Sequence, residues 1–233
     1  HYAVNNLILC VSGHIEFEKA VALTEKWFGD FAPANIPVRN LPQEPVQTEQ
    51  RFMSVKREVP QNVLTMMYHM CGRRDADYQV CDMLSDVLSN GMSSRFYRNV
   101  LVKSGLFTEL EASVSGTYDP GLFIVRARLA DGVSFDKAKD AIDAELADFV
   151  SNGATAYEIE KCANKYESTR LFDMITYEKK GVKLCQYELL GDAVDINKEV
   201  GKYRCITQDR LMNVAKNLLN PDNCSILYYG PDA

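Results

Sequence analysis

The chain has 233 residues, of which 46% are hydrophobic and 25% charged, and its formal net charge is −6. This length can bury a substantial core, and the composition is that of an ordinary globular domain. The acidic balance and the lack of a dense Lys/Arg run argue against nucleic acid and anionic membranes as partners. No apolar run is long enough to span a membrane.

The first elements end at a proline-rich stretch. Leu7–Val11 is predicted to be a short buried strand that ends at Gly13, and residues 16–28 have the apolar spacing of a helix that ends at Gly29. Residues 32–50 contain four prolines, each of which favours extended backbone before it. They are Pro33, Pro37, Pro42 and Pro45. This stretch is therefore predicted to be a linker between two modules.

Strands and helices alternate after the linker. The predicted elements, in chain order, are strands at 52–57 and 63–70, helices at 75–88 and 94–103, and a hairpin of strands at 107–115 and 122–129. In the last strand Phe123 and Val125 face one side, whereas Arg126 and Arg128 face the other. One face of the sheet is therefore expected to contact water.

The remainder is predicted to be mostly helical. Ser134 is expected to cap one helix, Thr155 and Glu158 have the spacing of a capping box at the start of a long helix, and Thr207 opens the last helix. A final strand is predicted at 224–229. The two ends of the chain share an Asn-to-Gly spacing, with Asn6, Leu9 and Gly13 matching Asn223, Ile226 and Gly230. Interpreted as a repeat, this indicates the tail of one module followed by a second, nearly whole module.

Several landmarks occur in the order known from one peptidase family. They are Tyr2–Leu9 with Trp27–Asp30, Asp82–Leu88 with Gly91–Arg95, Tyr118–Phe123, Gly153–Lys161 and Leu219–Asn223. In this order they resemble the second half of the pitrilysin-type (insulinase or mitochondrial processing peptidase-like) zinc metallopeptidases, the inverzincins. The resemblance covers nearly the whole chain.

The resemblance implies an α+β fold with a mixed, mainly antiparallel sheet and helices packed on one face. It implies that residues 1–31 are the last strand and helix of a first, catalytic-type module, that 32–50 are the linker, and that 51–233 are the second, non-catalytic module. The chain opens at His1 without Met or a signal-peptide pattern, so it is expected to be a piece of a longer protein. An exposed apolar patch, and a dimer formed through it, are expected where the first module is missing.

The catalytic motif of these peptidases, His-x-x-Glu-His, does not occur in the sequence. The histidines are His1, His14 and His69, and no two have helical spacing. No metal site is therefore expected in this chain, and zinc is expected in the missing first module of the parent protein. The resemblance also implies an Arg and a Tyr around Gly105 in modules that help catalysis. The matching positions hold Leu101 and Thr108, and Arg98, one turn earlier, is not assigned the role of that Arg.

Ser93, Ser94 and Arg95 are the candidate substrate-binding residues. The competing interpretation is a helix start at which Gly91 frees the backbone, a serine caps, and Arg95 pairs locally. His69 and Cys71 could form half of a metal site on one strand face, although a core or edge position is the simpler interpretation. Glu109 and Glu111 share a strand face, and with Asp119 they could make a chamber wall acidic and attract basic peptides, although solvated carboxylates are the simpler interpretation.

Seven cysteines at scattered spacings are interpreted as free thiols, which favours a reducing compartment such as the cytoplasm. Three hypotheses for function follow. The chain is the non-catalytic half of a zinc metalloendopeptidase subunit, which helps to hold a peptide beside a catalytic module of the same protein or of a partner subunit. Alternatively, it belongs to an inactive scaffold subunit of such a peptidase, or it is a peptide-binding module without catalysis.

Overall fold

A computed structural model describes residues 2–38 and 40–233. The described strands are β1 (Arg51–Lys56), β2 (Val63–Met70), β3 (Phe107–Val114), β4 (Gly121–Leu129) and β5 (Cys224–Gly230). The described α-helices are α1 (Phe17–Phe28), α2 (Tyr78–Ser89), α3 (Val102–Ser104), α4 (Phe135–Asn152), α5 (Ala156–Asp173), α6 (Tyr177–Leu190), α7 (Glu199–Arg204) and α8 (Gln208–Leu218). A π-helical turn, Phe96–Leu101, runs directly into α3.

The chain divides into two compact units. Unit 1 comprises residues 1–45 and 167–200, and unit 2 comprises residues 46–166 and 201–233. The boundaries fall within α5 and α7, so the two units are not consecutive stretches of chain. The sequence predicted two modules, 1–31 and 51–233, joined by a linker at 32–50. That division describes a repeated domain and not compact units of structure, so it stays a prediction.

Unit 2 contains a single described sheet with the strand order β1-β5-β2-β4-β3. The pairs β5–β2, β2–β4 and β4–β3 are antiparallel, and only β1–β5 is parallel. The alternate residues of β2 are fully covered, including Leu64 and Met66, because α2, α4 and α8 pack on that face. The predicted α+β fold, with a mainly antiparallel sheet and helices on one face, is confirmed.

The opposite face of this sheet is less buried than the face that packs against the helices. Arg126 and Arg128 are exposed there, as the alternation in β4 predicts. The predicted hairpin is confirmed within one residue at each end of its strands. A bulge at the start of β3 places Thr108 as an extra residue between Phe107 and Glu109.

Side-chain caps begin several helices. Ser134 Oγ accepts a hydrogen bond from the amide of Lys137, and Thr207 Oγ1 accepts one from the amide of Arg210 at 3.2 Å. The capping box is also confirmed, because the Glu158 amide donates to Thr155 Oγ1 at 3.2 Å while the Thr155 amide donates to Glu158 Oε2 at 2.7 Å. Each cap satisfies a first-turn amide that has no partner within its helix.

The prediction of a strand at Leu7–Val11 is wrong. A short 3₁₀ turn, Val4–Asn6, precedes a stretch without strand pairing, and Leu7 and Leu9 are more than half exposed. A strand requires a neighbour that shares its backbone hydrogen bonds, and no described residue of unit 1 supplies one. Apolar character alone therefore does not make this segment a strand.

Unit 1 leaves many large apolar side chains exposed. They include Phe17, Trp27, Phe31, Leu171, Phe172 and Ile175, each at least 60% exposed. Its α6 and the segment Leu7–Cys10 line an open groove of about 710 Å³. No helix within the described ranges has the length and apolar character that crossing a bilayer requires.

Candidate functional site

The loop of the candidate residues connects α2 to the π-helical turn. Gly91 has φ +86°, a conformation that side chains other than glycine rarely adopt. The Ser94 amide donates to the Gly91 carbonyl at 3.0 Å, and the Arg98 amide donates to the Ser94 carbonyl at 3.0 Å. No side-chain cap bond is made where the π-helical turn begins, so the interpretation of a serine cap is wrong. The backbone turn itself, which glycine allows, sets the helix direction.

Arg95 is held by groups of unit 2. Its Nε donates to Glu158 Oε1 at 2.7 Å, and its Nη2 donates to Glu158 Oε2 at 3.0 Å and to the Gly153 carbonyl at 2.6 Å. The side chain is 12% exposed, and the guanidinium lies over the ring of Phe149 with 4.9 Å to its centroid. This fork-to-carboxylate geometry links the loop after α2 to the α4–α5 connection.

The electrostatics of the Arg95–Glu158 pair agree with this geometry. Burial alone would raise the pKa of Glu158, but hydrogen bonds from Arg95 and from the Thr155 amide outweigh burial and hold the pKa at about 2. The hydrogen bond to Glu158 raises the pKa of Arg95 despite its burial. Both groups therefore stay charged and paired, but the partner lies 63 residues away along the chain, so the expectation that Arg95 pairs locally is wrong.

The two serines lie in different surroundings. Ser94 is fully buried, and its Oγ has no hydrogen-bond partner. Ser93 is exposed, and its Oγ and its carbonyl oxygen each accept a hydrogen bond from Lys161 Nζ at 3.2 Å. Substrate binding by Ser93, Ser94 and Arg95 stays a prediction, and Ser93 is the member of this set that an external ligand can reach.

Two lysines of α5 approach this loop, and the sequence reasoning missed them. Lys161 reaches Ser93, and Lys165 donates from Nζ to Asn90 Oδ1, while Asn90 Nδ2 donates to Asp86 Oδ1. Burial raises the pKa of Asp86, and the hydrogen bond from Asn90 opposes the rise. The four-residue spacing of the lysines on one helix face was the available signal. The loop therefore presents a cationic edge to solvent.

The two positions that match the assisting Arg and Tyr hold Leu101 and Thr108, whose side chains differ in chemistry from both. Leu101 is half-buried and packs against the core of unit 2. Thr108 is exposed at the bulge of β3, and its Oγ1 lies 3.4 Å from the Arg128 carbonyl oxygen. Neither side chain can make a charge-assisted hydrogen bond to a developing oxyanion.

Zinc does not fit the donor groups of the chain as far as the structure describes it. Among residues 2–38 and 40–233, no group of three or more His, Cys, Asp or Glu side chains is arranged to hold a metal ion. His14 is exposed in unit 1, and His69 is half-buried on β2 beside Cys71, while His1 lies outside the described residues. A catalytic zinc site needs three protein ligands.

The carboxylates predicted to line a wall are partly neutralised. Glu109 lies opposite Arg128 in the β3–β4 register, with Oε2 at 2.9 Å from Arg128 Nε, and Glu111 lies opposite Arg126. The Glu109–Arg128 pair is about half exposed, so it contributes little to stability. The face therefore has alternating charge rather than the acidic character that the sequence hypothesis suggested.

Comparisons with known proteins agree on one family. A family model described as the peptidase M16 inactive domain matches residues 1–166. A curated protein named an uncharacterized zinc protease of Streptomyces coelicolor is 24% identical over 225 residues, which are 94% of this chain and 49% of that protein. A protease from Helicobacter pylori has a similar structure, with a TM-score of 0.86 and 17% identity over 94% of this chain and 54% of the other.

A peptidase M16 inactive domain from Pseudomonas fluorescens is also similar, with a TM-score of 0.76 and 18% identity over 95% of this chain and 52% of that one. At these identities the structural similarity shows the fold. The chain spans about half the length of the curated relatives it matches.

Proposed function

The chain belongs to the peptidase M16 family as an inactive domain, and from this we propose that it is the non-catalytic half of a zinc metalloendopeptidase subunit. In this role it walls part of the chamber in which a peptide is hydrolysed at a zinc site outside this chain. The observation that carries the proposal is the inactive-domain match to a chain whose sequence contains no His-x-x-Glu-His. The relatives named zinc proteases support the role of zinc in the whole protein.

The sheet face that carries Arg126 and Arg128 supports the part of the proposal that concerns the chamber. Its half-buried residues are mixed in character, with Val63, Met67, Leu122, Ile124 and Leu227 lying among the polar Thr65, His69 and Ser225. Its β3 side carries Arg126 and Arg128 opposite Glu111 and Glu109. A surface of mixed apolar and polar groups beside alternating charges can contact the apolar, polar and charged side chains of an extended peptide. Such a wall holds many sequences without selecting one.

The proposed partner is a catalytic-type module, in the same protein or in a partner subunit. The curated relatives are about twice as long as this chain, which leaves room in each of them for a second module of similar size. Unit 1 supports the same idea, because its large exposed side chains, among them Trp27 and Phe172, are of the kind that domains bury. The chain would thus need its partner for both stability and activity.

Elemental analysis and a peptidase assay of the purified chain test this proposal. We expect less than about 0.1 zinc per chain after dialysis against trace zinc, and no cleavage of an unstructured peptide library, because the donors of a three-ligand site are missing. The control is the longer polypeptide encoded with this chain, which should bind zinc and cleave. Stoichiometric zinc or cleavage by the chain alone would disprove the proposal.

An inactive scaffold subunit is the second candidate. Leu101 and Thr108 favour it, because they stand where an assisting Arg and Tyr are found in modules that help catalysis. The coding sequence around this chain discriminates between the two candidates. His-x-x-Glu-His in the same polypeptide supports the first, and its absence supports the scaffold.

A peptide-binding module without catalysis is the third candidate. The outer edge of β1 favours it, since β1 pairs only with β5 among the described strands and could accept a peptide strand. Calorimetric titration of the chain with unstructured peptides tests this possibility. A binding heat that saturates would support the peptide-binding module, and the absence of binding heat at about millimolar peptide would exclude it.

A further inference from the structure

Two lysines of α5 and the loop after α2 form a cationic surface within unit 2. Lys161 Nζ donates to the carbonyl oxygen and to Oγ of Ser93, each at 3.2 Å. Lys165 Nζ donates to Asn90 Oδ1. Because residues four apart lie on the same helix face, the two ammonium groups lie side by side along one loop. We call these four residues, Asn90, Ser93, Lys161 and Lys165, the lysine patch.

The lysine patch has hydrogen-bond donors that no protein group uses. An ammonium group carries three N–H donors. Lys161 uses at most two of them on Ser93, and Lys165 uses one on Asn90, so at least three are left without a partner among the described residues. The Ser93 hydroxyl accepts from Lys161, so its own hydrogen also stays available. The patch can therefore bind an external acceptor without losing an internal contact.

The patch is open to solvent. Ser93 and Lys165 are exposed, and Lys161 is half-buried. Met92, which lies between the two loop members of the patch, is itself 74% exposed. A Cβ added at Gly91 would lie 3.8 Å from Lys165 Nζ, so a larger residue there would cover part of the ammonium group that glycine leaves free. A ligand can thus reach both lysines from the same side of the loop.

The side chains of the patch are held in place by the fold. Asn90 lies between Lys165 and Asp86, because its Nδ2 donates to Asp86 Oδ1 while its Oδ1 accepts from Lys165. Lys161 is held by two oxygens of Ser93. A lysine side chain loses rotamer freedom when a ligand fixes it, and here the folded chain has already restricted that freedom. The two ammonium groups are therefore arranged before a ligand binds.

The charge of the patch matches an anion with a single charge. Asp86 interacts electrostatically with both lysines and offsets one of the two positive charges. Glu158 lies three residues before Lys161, but it is paired with Arg95 and does not offset the other charge. The net charge of the chain is −6, which disfavours anions over the rest of its surface. A carboxylate therefore matches the patch better than a phosphate monoester, which carries about −1.5 to −2 at pH 7.

We propose that the lysine patch is a binding site for a carboxylate of a peptide, either an acidic side chain or the C-terminal carboxylate. Lys161 and Lys165 donate charge-assisted hydrogen bonds to the two carboxylate oxygens, and the Ser93 hydroxyl donates a further one. Asn90 positions Lys165. The peptide nature of the ligand rests on the proposed function, whereas the affinity for a carboxylate does not.

Acetylation of lysines in the presence of peptides tests the site on the unmodified chain. The chain, at about 5 µM to limit self-association, is treated with an acetylating ester, digested after Glu and Asp, and mapped by mass spectrometry. Peptide 161–167 carries both lysines of the patch, and peptide 210–222 carries Lys216, an exposed lysine of α8, as the reference. Three N-acetylated peptides of equal length are compared. One has a central Glu and an amidated C-terminus, one has Gln and a free C-terminus, and one has Gln and an amidated C-terminus.

We expect at least one of the two carboxylate peptides, at about 10 mM, to slow acetylation of Lys161 and Lys165 about threefold relative to the peptide without a carboxylate. The reason is that a few charge-assisted hydrogen bonds give a Kd in about the millimolar range. Lys216 should react at the same rate throughout. Protection by the Glu peptide identifies an acidic side chain as a ligand, and protection by the free C-terminus identifies the terminal carboxylate.

Two results would overturn the proposal. Equal acetylation with all three peptides, or protection of Lys216 as strong as that of Lys161 and Lys165, would show that the patch has no specific affinity for a carboxylate. Inorganic phosphate, at the same concentration and ionic strength, is the remaining comparison. Stronger protection by phosphate than by either carboxylate peptide would contradict the assignment of a singly charged ligand.

Lys165→Gln tests whether one carboxylate contacts both lysines. The peptide concentration that half-protects Lys161 should rise at least about tenfold, since one charged donor is lost. Lys165→Arg keeps the charge and should change that concentration less than about threefold. Lys216→Gln removes the same charge from α8, and its effect should stay below about twofold because screened charges far from a site contribute little.

An unchanged concentration in Lys165→Gln would show that the lysines do not act together and would overturn the site. Circular dichroism checks that the variants are folded, and should one not fold, the wild-type mapping decides alone. The experiment involves neither zinc nor cleavage. Zinc bound by the chain itself would therefore disprove the proposed function without affecting carboxylate binding, and a lack of protection would remove the lysine patch without affecting the proposed function.

Discussion

Arg95 and Glu158 show that a residue predicted to contact substrate also has a structural role in its own domain. The guanidinium is shared between Glu158 and the Gly153 carbonyl, and Glu158 also accepts from the Thr155 amide. One carboxylate thus completes both an ion pair and a capping box. Removing either charge would leave the other partly buried and unpaired, which costs more than the pair itself contributes.

We expect Glu158→Gln to lower the free energy of unfolding at pH 7 by up to about 3 kcal/mol. The pKa of Glu158 is about 2 in the folded chain against an ordinary 4.5, so its contribution is fully present above pH 4.5 and is lost as the pH falls towards 2. The stability gap between wild type and variant should therefore close across that interval. Urea unfolding followed by circular dichroism at several pH values measures the gap.

The matched control is Glu160→Gln, which removes an exposed carboxylate from the same helix. It should change stability by no more than about 0.5 kcal/mol at any pH. A gap for Glu158→Gln that stays constant from pH 7 to pH 2 would contradict the assignment of the ion pair.

Helix α8 illustrates stability at the scale of one element. Thr207 Oγ1 accepts from the Arg210 amide, and the apolar face of the helix is fully buried at Leu211 and Ala215. We expect Thr207→Ala to cost about 1 kcal/mol, the usual effect of losing an N-cap. Thr169→Ala in the interior of α5 is the matched control, and it should leave stability unchanged or slightly higher because alanine is the better helix former. Equal urea midpoints for the two variants would show that the Thr207 cap does not contribute to stability.

Sequence patterns predicted the elements whose signal is local. The alternation of β4 and the capping box at Thr155 depend on neighbouring residues, and the structure confirms them. Leu7–Val11 failed because a strand exists only through its partner, which a pattern of apolar residues does not reveal. The π-helical turn Phe96–Leu101 was predicted as an ordinary helix, since its wider hydrogen-bonding is set by packing rather than by composition.

The candidate site was only partly predictable for a related reason. The loop at Gly91–Arg95 stood out by its motif, but the partners of Arg95 lie 58 and 63 residues away along the chain. The lysines of α5 that reach the loop are equally distant, with Lys161 68 residues beyond Ser93.

At the scale of the whole molecule, unit 1 is the part that is least covered. Leu171 and Phe172, at the end of α5, and Ile175, just beyond it, are each about two-thirds exposed. Apolar groups in water favour association, at roughly 25 cal/mol per Å² removed from solvent. We therefore expect the isolated chain to self-associate reversibly at about 100 µM, a process that sedimentation velocity follows.

Phe172→Glu should shift this equilibrium at least about tenfold towards the monomer, because a charge in an apolar contact is costly. Val102→Glu is the control, since Val102 is also 63% exposed but lies in unit 2. If both variants sediment like the wild type, the end of α5 is not a contact surface.

The position of β5 has a consequence for synthesis. The last strand of unit 2 is an inner strand of the sheet, bonded on one side to β1 and on the other to β2, and the Gln47 side chain reaches the Cys224 carbonyl 177 residues later. A nascent chain emerging from the ribosome therefore holds β1 without its only described neighbour until Cys224–Gly230 has been synthesised. Such long-range closure is slow and leaves strand edges open to aggregation. A stop codon before Cys224 would separate β1 from β2 and leave the sheet without its inner strand.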